Sequence, residues 1–132
     1  MTSEVTESNW RLRLEDRGDY LYAEVCGAED SPAITLAYWR QIEVECKKRG
    51  TRWLLVCDRL LGEPANPDEF AILAQALSEG ALVNVRIAFH EPVAEHLRFV
   101  EHGEIAMREA GLMLRVFGSE REAVLWLRYG QT

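Results

Sequence analysis

The sequence has few basic side chains and no long apolar segment. It contains 15 lysines and arginines against 22 aspartates and glutamates, so its formal net charge at pH 7 is -7. Nucleic-acid phosphates are bound by clustered lysine and arginine, and this composition therefore argues against a nucleic-acid partner. No stretch reaches the roughly 18 uninterrupted apolar residues that predict a membrane-spanning helix. We expect neither a nucleic-acid partner nor a transmembrane segment.

Cysteine is also scarce. Cys26, Cys46 and Cys57 are odd in number and far apart, and the sequence has no C-x-x-C pair, so a disulfide framework is not expected. The first ten residues, MTSEVTESNW, lack the apolar core of a signal peptide. Together these features predict a cytoplasmic protein.

Catalytic and cofactor motifs are missing. The sequence contains no G-x-S-x-G, no G-x-x-x-x-G-K-[ST], no G-x-G-x-x-G, and no cysteine paired with a nearby histidine. His96 and His102 are six residues apart on a predicted helix, a rotation of about 240°, so they do not share a face as metal ligands would. We therefore predict no enzyme activity, no cofactor and no metal site. One catalytic alternative pairs His90 with Asp58.

The order of the predicted elements indicates an α/β fold. Alternating apolar residues in WRLRLEDRGDYLYAEVCG predict a β-hairpin that turns at Gly18. Apolar runs that suit buried strands then alternate with helical patterns, giving the order β-β-α-β-α-β-α-β-α. Such βα repeats need crossover connections and produce a mainly parallel sheet with helices on both faces. We predict a flexible tail over residues 1–8 and one α/β domain over residues 9–129. The predicted strands and helices after the hairpin are SPAITLAYWRQIEVECKKRG (helix), TRWLLVCD (strand), NPDEFAILAQALSEG (helix), VNVRIAFH (strand), EPVAEHLRFVEHGEIAMREAG (helix), LMLRVFG (strand) and SEREAVLWLRYG (helix).

The stretch WLLVCDRLLGEPANPDEF is the first candidate for a site. It predicts a strand ending at Asp58, a loop, and a helix capped by Asn66. Ligands of open α/β sheets bind beyond the carboxyl ends of the strands, which is where this loop should lie. The alternative is a plain connection, in which Asp58 ends the strand and Asn66 caps the helix. The candidate contact residues are Asp58, Arg59, Gly62, Glu63, Asn66, Asp68 and His90.

The chain resembles the STAS-like domains, relatives of the bacterial anti-sigma-factor antagonists. The resemblance is carried by the leading hairpin followed by CKKRGTRWLLVCD, NPDEFAILAQAL, VRIAFH and AGLMLRVFGSEREAVLWL. It extends from the first predicted strand to the last helix and is strongest for a bacterial subgroup of small stand-alone proteins. The fold of that subgroup is also compared with lipid-binding Sec14-type domains. The resemblance implies a non-enzymatic regulatory or protein-interaction module.

The family's phosphorylation switch has no counterpart here. In the antagonists, a serine or threonine that follows the strand ending in Asp is phosphorylated and controls partner binding. Here the residues after Asp58, RLLGEPANPDEF, include neither, and the nearest downstream hydroxyl is Ser78 at the far end of the helix. The resemblance therefore implies binding without this switch. Glu63 and Asp68 place negative charge where the phosphate would lie, although acids at a helix start are also stabilising in their own right.

The first predicted helix suggests two further binding hypotheses. Tyr38 and Trp39 are adjacent, so they cannot both point straight inward. One of them can line an apolar pocket with Phe70 that suits a small molecule or lipid tail. Ile34, Ala37 and Val44 lie off the inward-facing stripe and suggest a second contact surface, such as a homodimer face. The alternative is that these three are ordinary surface residues, because scattered apolar side chains are common on protein surfaces.

Overall fold

The structure is a computed structural model that describes residues 2–7, 9–62 and 65–130. These residues form a six-stranded sheet and four α-helices, with short 3₁₀ turns at Ala81–Asn84 and Ala94–His96. None of the described helices combines the length and apolar content needed to cross a bilayer. The strands are β1 (Thr2–Thr6), β2 (Trp10–Asp16), β3 (Leu21–Gly27), β4 (Trp53–Leu60), β5 (Arg86–His90) and β6 (Met113–Phe117). The helices are α1 (Pro32–Arg49), α2 (Pro67–Ser78), α3 (Leu97–Glu109) and α4 (Glu120–Tyr129).

The strands lie in the sheet in the order in which they occur in the chain, from β1 to β6. The pairs β1–β2 and β2–β3 are antiparallel, and the pairs β3–β4, β4–β5 and β5–β6 are parallel. The prediction of an α/β fold, with a hairpin leading into a mostly parallel sheet, is confirmed.

The first strand differs from the sequence-based expectation. Residues 2–6 were expected in a flexible tail, whereas the structure pairs β1 with β2, with Thr2 opposite Glu15 and Val5 opposite Leu12. Val5 packs against the buried core. The segment TSEVT carries one large apolar side chain, so its periodicity gives almost no strand signal. Its place in the sheet comes from backbone pairing with β2, which hydrophobic patterns do not report.

The sheet carries a core on each face. Leu54 and Val56 point into a larger core under α1, α2 and α3. Leu55 and Cys57 point into a smaller core under α4. Successive strand residues face opposite sides of a sheet, and this alternation supplies both cores from one apolar run. The prediction of helices on both faces is confirmed.

Local signals explain where most of the helices begin. The Ser31 hydroxyl accepts a hydrogen bond from Ile34 N at the start of α1, and Ser119 does the same from Glu122 N for α4. The third helix is shorter than predicted, because it begins at Leu97 rather than near Glu91. Pro92 N carries no hydrogen, and the Glu91 carboxylate accepts from Val93 N, so a turn replaces the first helical residues.

Gly103 lies inside α3 without breaking it, and its role is a close contact with α2. A Cβ at this position would lie 2.8 Å from the ring of Phe70, far inside normal contact distance. The absence of a side chain therefore lets α3 pack directly against Phe70, which offsets the roughly 1 kcal/mol that glycine costs in a helix interior.

The suggested homodimer face of α1 is not a continuous exposed surface. Ile34 is buried in the larger core and Ala37 packs against the same core, while Val44 is 57% exposed. The first turns of α1 are therefore covered over a wider surface than the predicted stripe. Those three residues therefore do not form one contact surface.

Candidate functional site

Three carboxylates meet at the carboxyl ends of the parallel strands. Asp30 lies in the loop between β3 and α1, Asp58 lies near the end of β4, and Glu91 directly follows β5. All three line one cavity together with Glu104 of α3, and we call it the acidic cavity. Because the carboxyl ends of parallel strands lie along one edge of the sheet, residues far apart in the chain are brought together there.

Asp58 is held by two hydrogen bonds. Its Oδ1 accepts from Leu60 N at 2.9 Å, and its Oδ2 accepts from the Tyr38 hydroxyl at 3.4 Å. Burial and, to a smaller extent, the neighbouring charges of Asp30 and Glu91 raise the pKa of Asp58 to about 7, against the opposing effect of the hydrogen bonds. Asp58 therefore holds a proton much more readily than an exposed aspartate does.

Asp30 and Glu91 are also held by neighbouring groups. Asp30 Oδ1 accepts from the Thr35 hydroxyl at 2.9 Å, and Glu91 Oε2 accepts from Val93 N at 3.0 Å. Burial raises the pKa of both carboxyls, and the hydrogen bonds that they accept from Thr35 and Val93 oppose this shift. Glu91 is only 5% exposed.

No ion pair neutralises these carboxylates within the part of the chain that the structure describes. Glu104, a further acidic residue of the cavity wall, pairs with Arg108 at 3.6 Å and with Arg115 at 3.9 Å. The other salt bridges lie mainly on the hairpin and along helix surfaces. Buried acidic side chains are seldom left without a cation partner. The acidic cavity thus combines three strand-end carboxyls of raised pKa with no salt bridge to any of the three among the described residues.

The other wall of the acidic cavity is aromatic. Tyr38 and Trp39 are 1% and 2% exposed, and their rings stack at 5.8 Å between centroids. Trp39 also stacks on Phe89 at 6.2 Å, and Phe70 completes this wall. Adjacent in the helix, Tyr38 and Trp39 were expected to diverge, yet both rings fit beneath α1 and line the cavity side by side.

The size of the cavity limits what it can enclose. Its volume is about 40 Å³, enough for a few water molecules. Sites that enclose small organic ligands usually measure roughly 300–1,000 Å³. Tyr38, Trp39 and Phe70, the residues of the hypothesised apolar pocket, all line this cavity, and its volume is well below that of a site that encloses a lipid tail.

The loop after β4 supplies part of the predicted contact patch. Gly62 lines the acidic cavity together with Asp58, and its φ of 110° is a conformation that favours glycine. Arg59 points to the other face of the sheet, where its Nε donates to Glu24 Oε2 at 3.2 Å. Glu63 lies outside the described residues.

Asn66 and Asp68 belong to the start of α2. Asn66 Oδ1 accepts from Glu69 N, and Glu69 Oε1 accepts from Asn66 N, which completes a capping box. Asp68 is exposed in the first helical turn. These contacts agree with the structural interpretation of Asn66 as a helix cap, and neither residue lines the acidic cavity.

His90 lies on the opposite face of the sheet from Asp58. Its Nδ1 is 3.5 Å from the sulfur of Cys57, beneath α4, whereas Asp58 opens towards α1. The two residues of the catalytic alternative therefore do not face a common space.

The contact between Cys57 and His90 was missed by the sequence analysis, which found no cysteine paired with a histidine. The two residues are neighbours in the parallel register of β4 and β5. Burial raises the pKa of the Cys57 thiol to about 11 and lowers the pKa of His90. Both groups are therefore uncharged near neutral pH, and the thiolate needed for nucleophilic chemistry is not formed. No three histidine, cysteine or acidic side chains of the described residues are grouped to hold a metal ion.

An apolar groove lies beside the acidic cavity, between the first halves of α1 and α2. We call it the α1–α2 groove. Its large apolar side chain Ile72 is 71% exposed. The groove and the cavity have three wall residues in common, Thr35, Ala65 and Leu73. Its lining residues are Pro32, Ala33, Thr35, Leu36, Ala65, Glu69, Ile72 and Leu73.

Two residues of the acidic cavity had a usable sequence signal. Asp30 and Glu91 each follow a predicted strand within a few residues, as Asp58 ends another. Applying the strand-end argument to every strand, rather than to one, would have identified them. The groove had no such signal, since its exposure depends on how far α1 and α2 lie apart.

No protein-family model and no curated protein matches the chain.

Proposed function

We propose that this chain is a STAS-like, non-enzymatic regulatory module that binds another protein. Its binding surface is the carboxyl end of the parallel strands together with the α1–α2 groove. The observation that carries this proposal is the exposed apolar lining of the groove next to the carboxylates of the acidic cavity. Contiguous apolar surface of this kind is typical of protein-interaction sites.

The charged surface of the hairpin provides a contrast that supports this choice. On the open sheet face, Arg13 pairs with Glu15 at 2.9 Å and with Glu24 at 3.6 Å, and Arg59 pairs with Glu24. Such a network satisfies its own charges and leaves little for a partner to gain. In the α1–α2 groove, Glu69 is the one charged side chain that the described residues contribute to the lining, and Ile72 is largely exposed.

Regulation by phosphorylation at the family's position forms no part of this proposal. The residues from Arg59 to Phe70 contain no serine or threonine. Binding would then depend on permanent features, namely the groove shape and the negative charge beside it. Asp68 supplies one such charge in the first turn of α2.

An apolar small-molecule or lipid-binding function is the second candidate. The stacked rings of Tyr38, Trp39 and Phe89 favour it, because ligand sites commonly have aromatic walls with a few polar groups. The volume of about 40 Å³ opposes it, since a ligand would have to displace core side chains. Because the cavity is much smaller than the usual ligand site, we favour the protein partner over the small molecule.

The proposal is tested by photo-cross-linking in the native host. A benzophenone amino acid replaces Ile72 in the groove or, as the matched control, Ile105 on α3, which is 57% exposed. We expect one discrete cross-linked protein from position 72 and none from position 105. Native mass spectrometry of the same purified protein serves as the second arm. A small bound mass together with no cross-link at position 72 would replace this proposal with the ligand-binding alternative.

A further inference from the structure

The lining of the α1–α2 groove has the spacing of a helix-binding surface. On α1, Ala33 and Leu36 are three residues apart, and they are exposed and partly exposed respectively. On α2, Glu69, Ile72 and Leu73 are at helical positions i, i+3 and i+4. Small residues between two large ones leave a trough between the helices. Troughs of this kind accept the apolar face of an amphipathic helix, which inserts side chains at the same spacing.

The charges around the groove are mainly negative. Glu69 lies in the groove, and Asp68 lies at the adjoining exposed helix start. Across the common wall, Asp30 and Glu91 have no ion-pair partner among the described residues. The nearby basic residue on α1, Arg40, is already paired with Glu43 at 3.0 Å. A partner with lysine or arginine beside its apolar face would supply the missing positive charge.

We infer that the α1–α2 groove binds a basic amphipathic helix of a partner protein, with apolar side chains against Leu36 and Ile72 and cationic side chains towards Glu69 and the acidic cavity. This inference rests on the proposed protein-binding function and specifies the chemistry of the partner. A second copy of the chain is a poor occupant, because two molecules of formal charge -7 repel each other. Anionic membranes and nucleic acids are disfavoured for the same reason.

Complementary charge predicts a measurable salt dependence. Exposed charges interact over about 10 Å at 0.1 M ionic strength and over about 3 Å at 1 M. Binding of a cationic helix should therefore weaken as salt is added, while the apolar contact with Ile72 persists. A purely apolar occupant would bind equally well at both salt concentrations.

The test uses two synthetic helical peptides with identical leucine positions. One carries lysine at all polar positions and the other carries glutamate. Binding to the full chain is measured by fluorescence anisotropy at low and high salt, and the contact surface is mapped by backbone amide chemical shifts. The variants are Ile72→Ser in the groove and Ile105→Ser on α3 as the matched control. Sedimentation of the chain alone measures self-association.

We expect the lysine peptide to bind, to shift amides of residues 33–37 and 65–76, and to weaken with salt. Losing a buried isoleucine contact costs about 1.5–3 kcal/mol, so Ile72→Ser should weaken binding by about tenfold or more. Ile105→Ser should leave the affinity unchanged. Equal binding of the glutamate peptide, equal effects of the two variants, amide shifts outside the groove, or a dimer that buries Ile72 would each overturn the inference.

The two proposals fail in different ways. If position 72 cross-links a protein but the lysine peptide does not bind, the partner is not a basic helix and the interaction function stands. If no protein is cross-linked from position 72, the interaction function itself fails.

Discussion

The two faces of the parallel sheet bury titratable groups in different surroundings, although the strands supply them from adjacent positions. Cys57 faces α4 and contacts His90, where both groups are neutral. Asp58, the next residue, faces α1 and shares the acidic cavity with Asp30, Glu91 and Glu104. The face under α4 is a smaller apolar core in which Cys57 and His90 are both buried. The opposite face opens at the strand ends into a charged cavity. Adjacent residues of one strand thus belong to different sites, and each site is completed by residues from neighbouring strands.

The largest expected loss of stability comes from removing a tryptophan, and it should be greater in the larger core than in the smaller one. Trp39→Ala should lower the free energy of unfolding by about 3–5 kcal/mol, because the ring is fully buried and stacked on both Tyr38 and Phe89. Trp126→Ala should cost less. The Trp126 indole N–H is buried without a hydrogen-bond partner among the described residues, and removing an unsatisfied group recovers about 1–3 kcal/mol. Urea denaturation followed by circular dichroism measures both. An equal or greater loss for Trp126→Ala would contradict the ranking of the cores.

The second prediction concerns pH and Asp58. Its pKa of about 7 in the folded chain exceeds the value of about 3.9 for an unfolded aspartate. The folded state therefore holds the proton more tightly, and stability falls as pH rises from about 4 to about 7. Asp58→Asn cannot ionise and lacks this fall. The variant should match the wild type near pH 4 and be more stable at pH 8, by up to about 4 kcal/mol at 1.36 kcal/mol per pKa unit. Urea denaturation at a series of pH values measures the difference.

The opposite face provides the control for this titration. Cys57 has a pKa of about 11, so its thiol stays neutral from pH 4 to pH 8. Cys57→Ala should change stability by the same amount at every pH in this range. A stability difference for Asp58→Asn that is also constant with pH would show that Asp58 does not titrate as described.

A smaller loss of stability is expected from removing the N-cap side chains of α2 and α4, which pack on opposite faces of the sheet. Asn66→Ala removes one half of the capping box of α2, and Ser119→Ala removes the single cap bond of α4. Each substitution should lower the free energy of unfolding by about 1 kcal/mol. The loss should be larger for Asn66→Ala, because it breaks a capping box of two reciprocal hydrogen bonds, whereas Ser119→Ala removes a single bond. Thermal unfolding measures both variants, and Asn66→Asp should restore most of the stability as the conservative control. If Asn66→Ala costs nothing, the cap is not what fixes the start of α2.

The smallest expected effect is at the groove surface. Ile72→Ser and Ile105→Ser should each change stability by less than about 0.5 kcal/mol, because both side chains are largely exposed. Chemical denaturation of the isolated chain checks this. A clear destabilisation by Ile72→Ser alone would mean that the groove is part of the core rather than a binding surface.

Much of the fold could be predicted because its signals are local. Asn66 caps the helix that it was predicted to cap, and the hairpin turns at Gly18, whose φ is 91°. The strand β1 could not be predicted, because pairing with β2 stabilises a segment with almost no apolar pattern. The start of α3 was predicted too early, because the feature that delays it is also invisible to hydrophobic periodicity. The turn at Glu91 depends on a side-chain hydrogen bond rather than on periodicity.

The candidate site was predictable only in part. Asp58 and Gly62 were identified from the loop after β4, and both line the acidic cavity. Arg59 was included in the same patch, yet strand alternation places it on the other face. Asp30 and Glu91 join the site because parallel strands end along one edge, and that proximity requires the order of strands in the sheet.

The amino-acid sequence alone predicts every strand except β1, all four helices, where most of them begin, and the acidic charge of the chain. The strands and helices depend on side chains within a few residues of one another. Only the folded chain shows that Asp30, Asp58, Glu91 and Glu104 share a cavity of about 40 Å³, that Cys57 contacts His90, and that Ile72 is exposed beside α1. Each of these depends on strand order, register and helix separation. Such properties arise from contacts between residues distant in the chain, and hydrophobic periodicity along one segment carries no information about them.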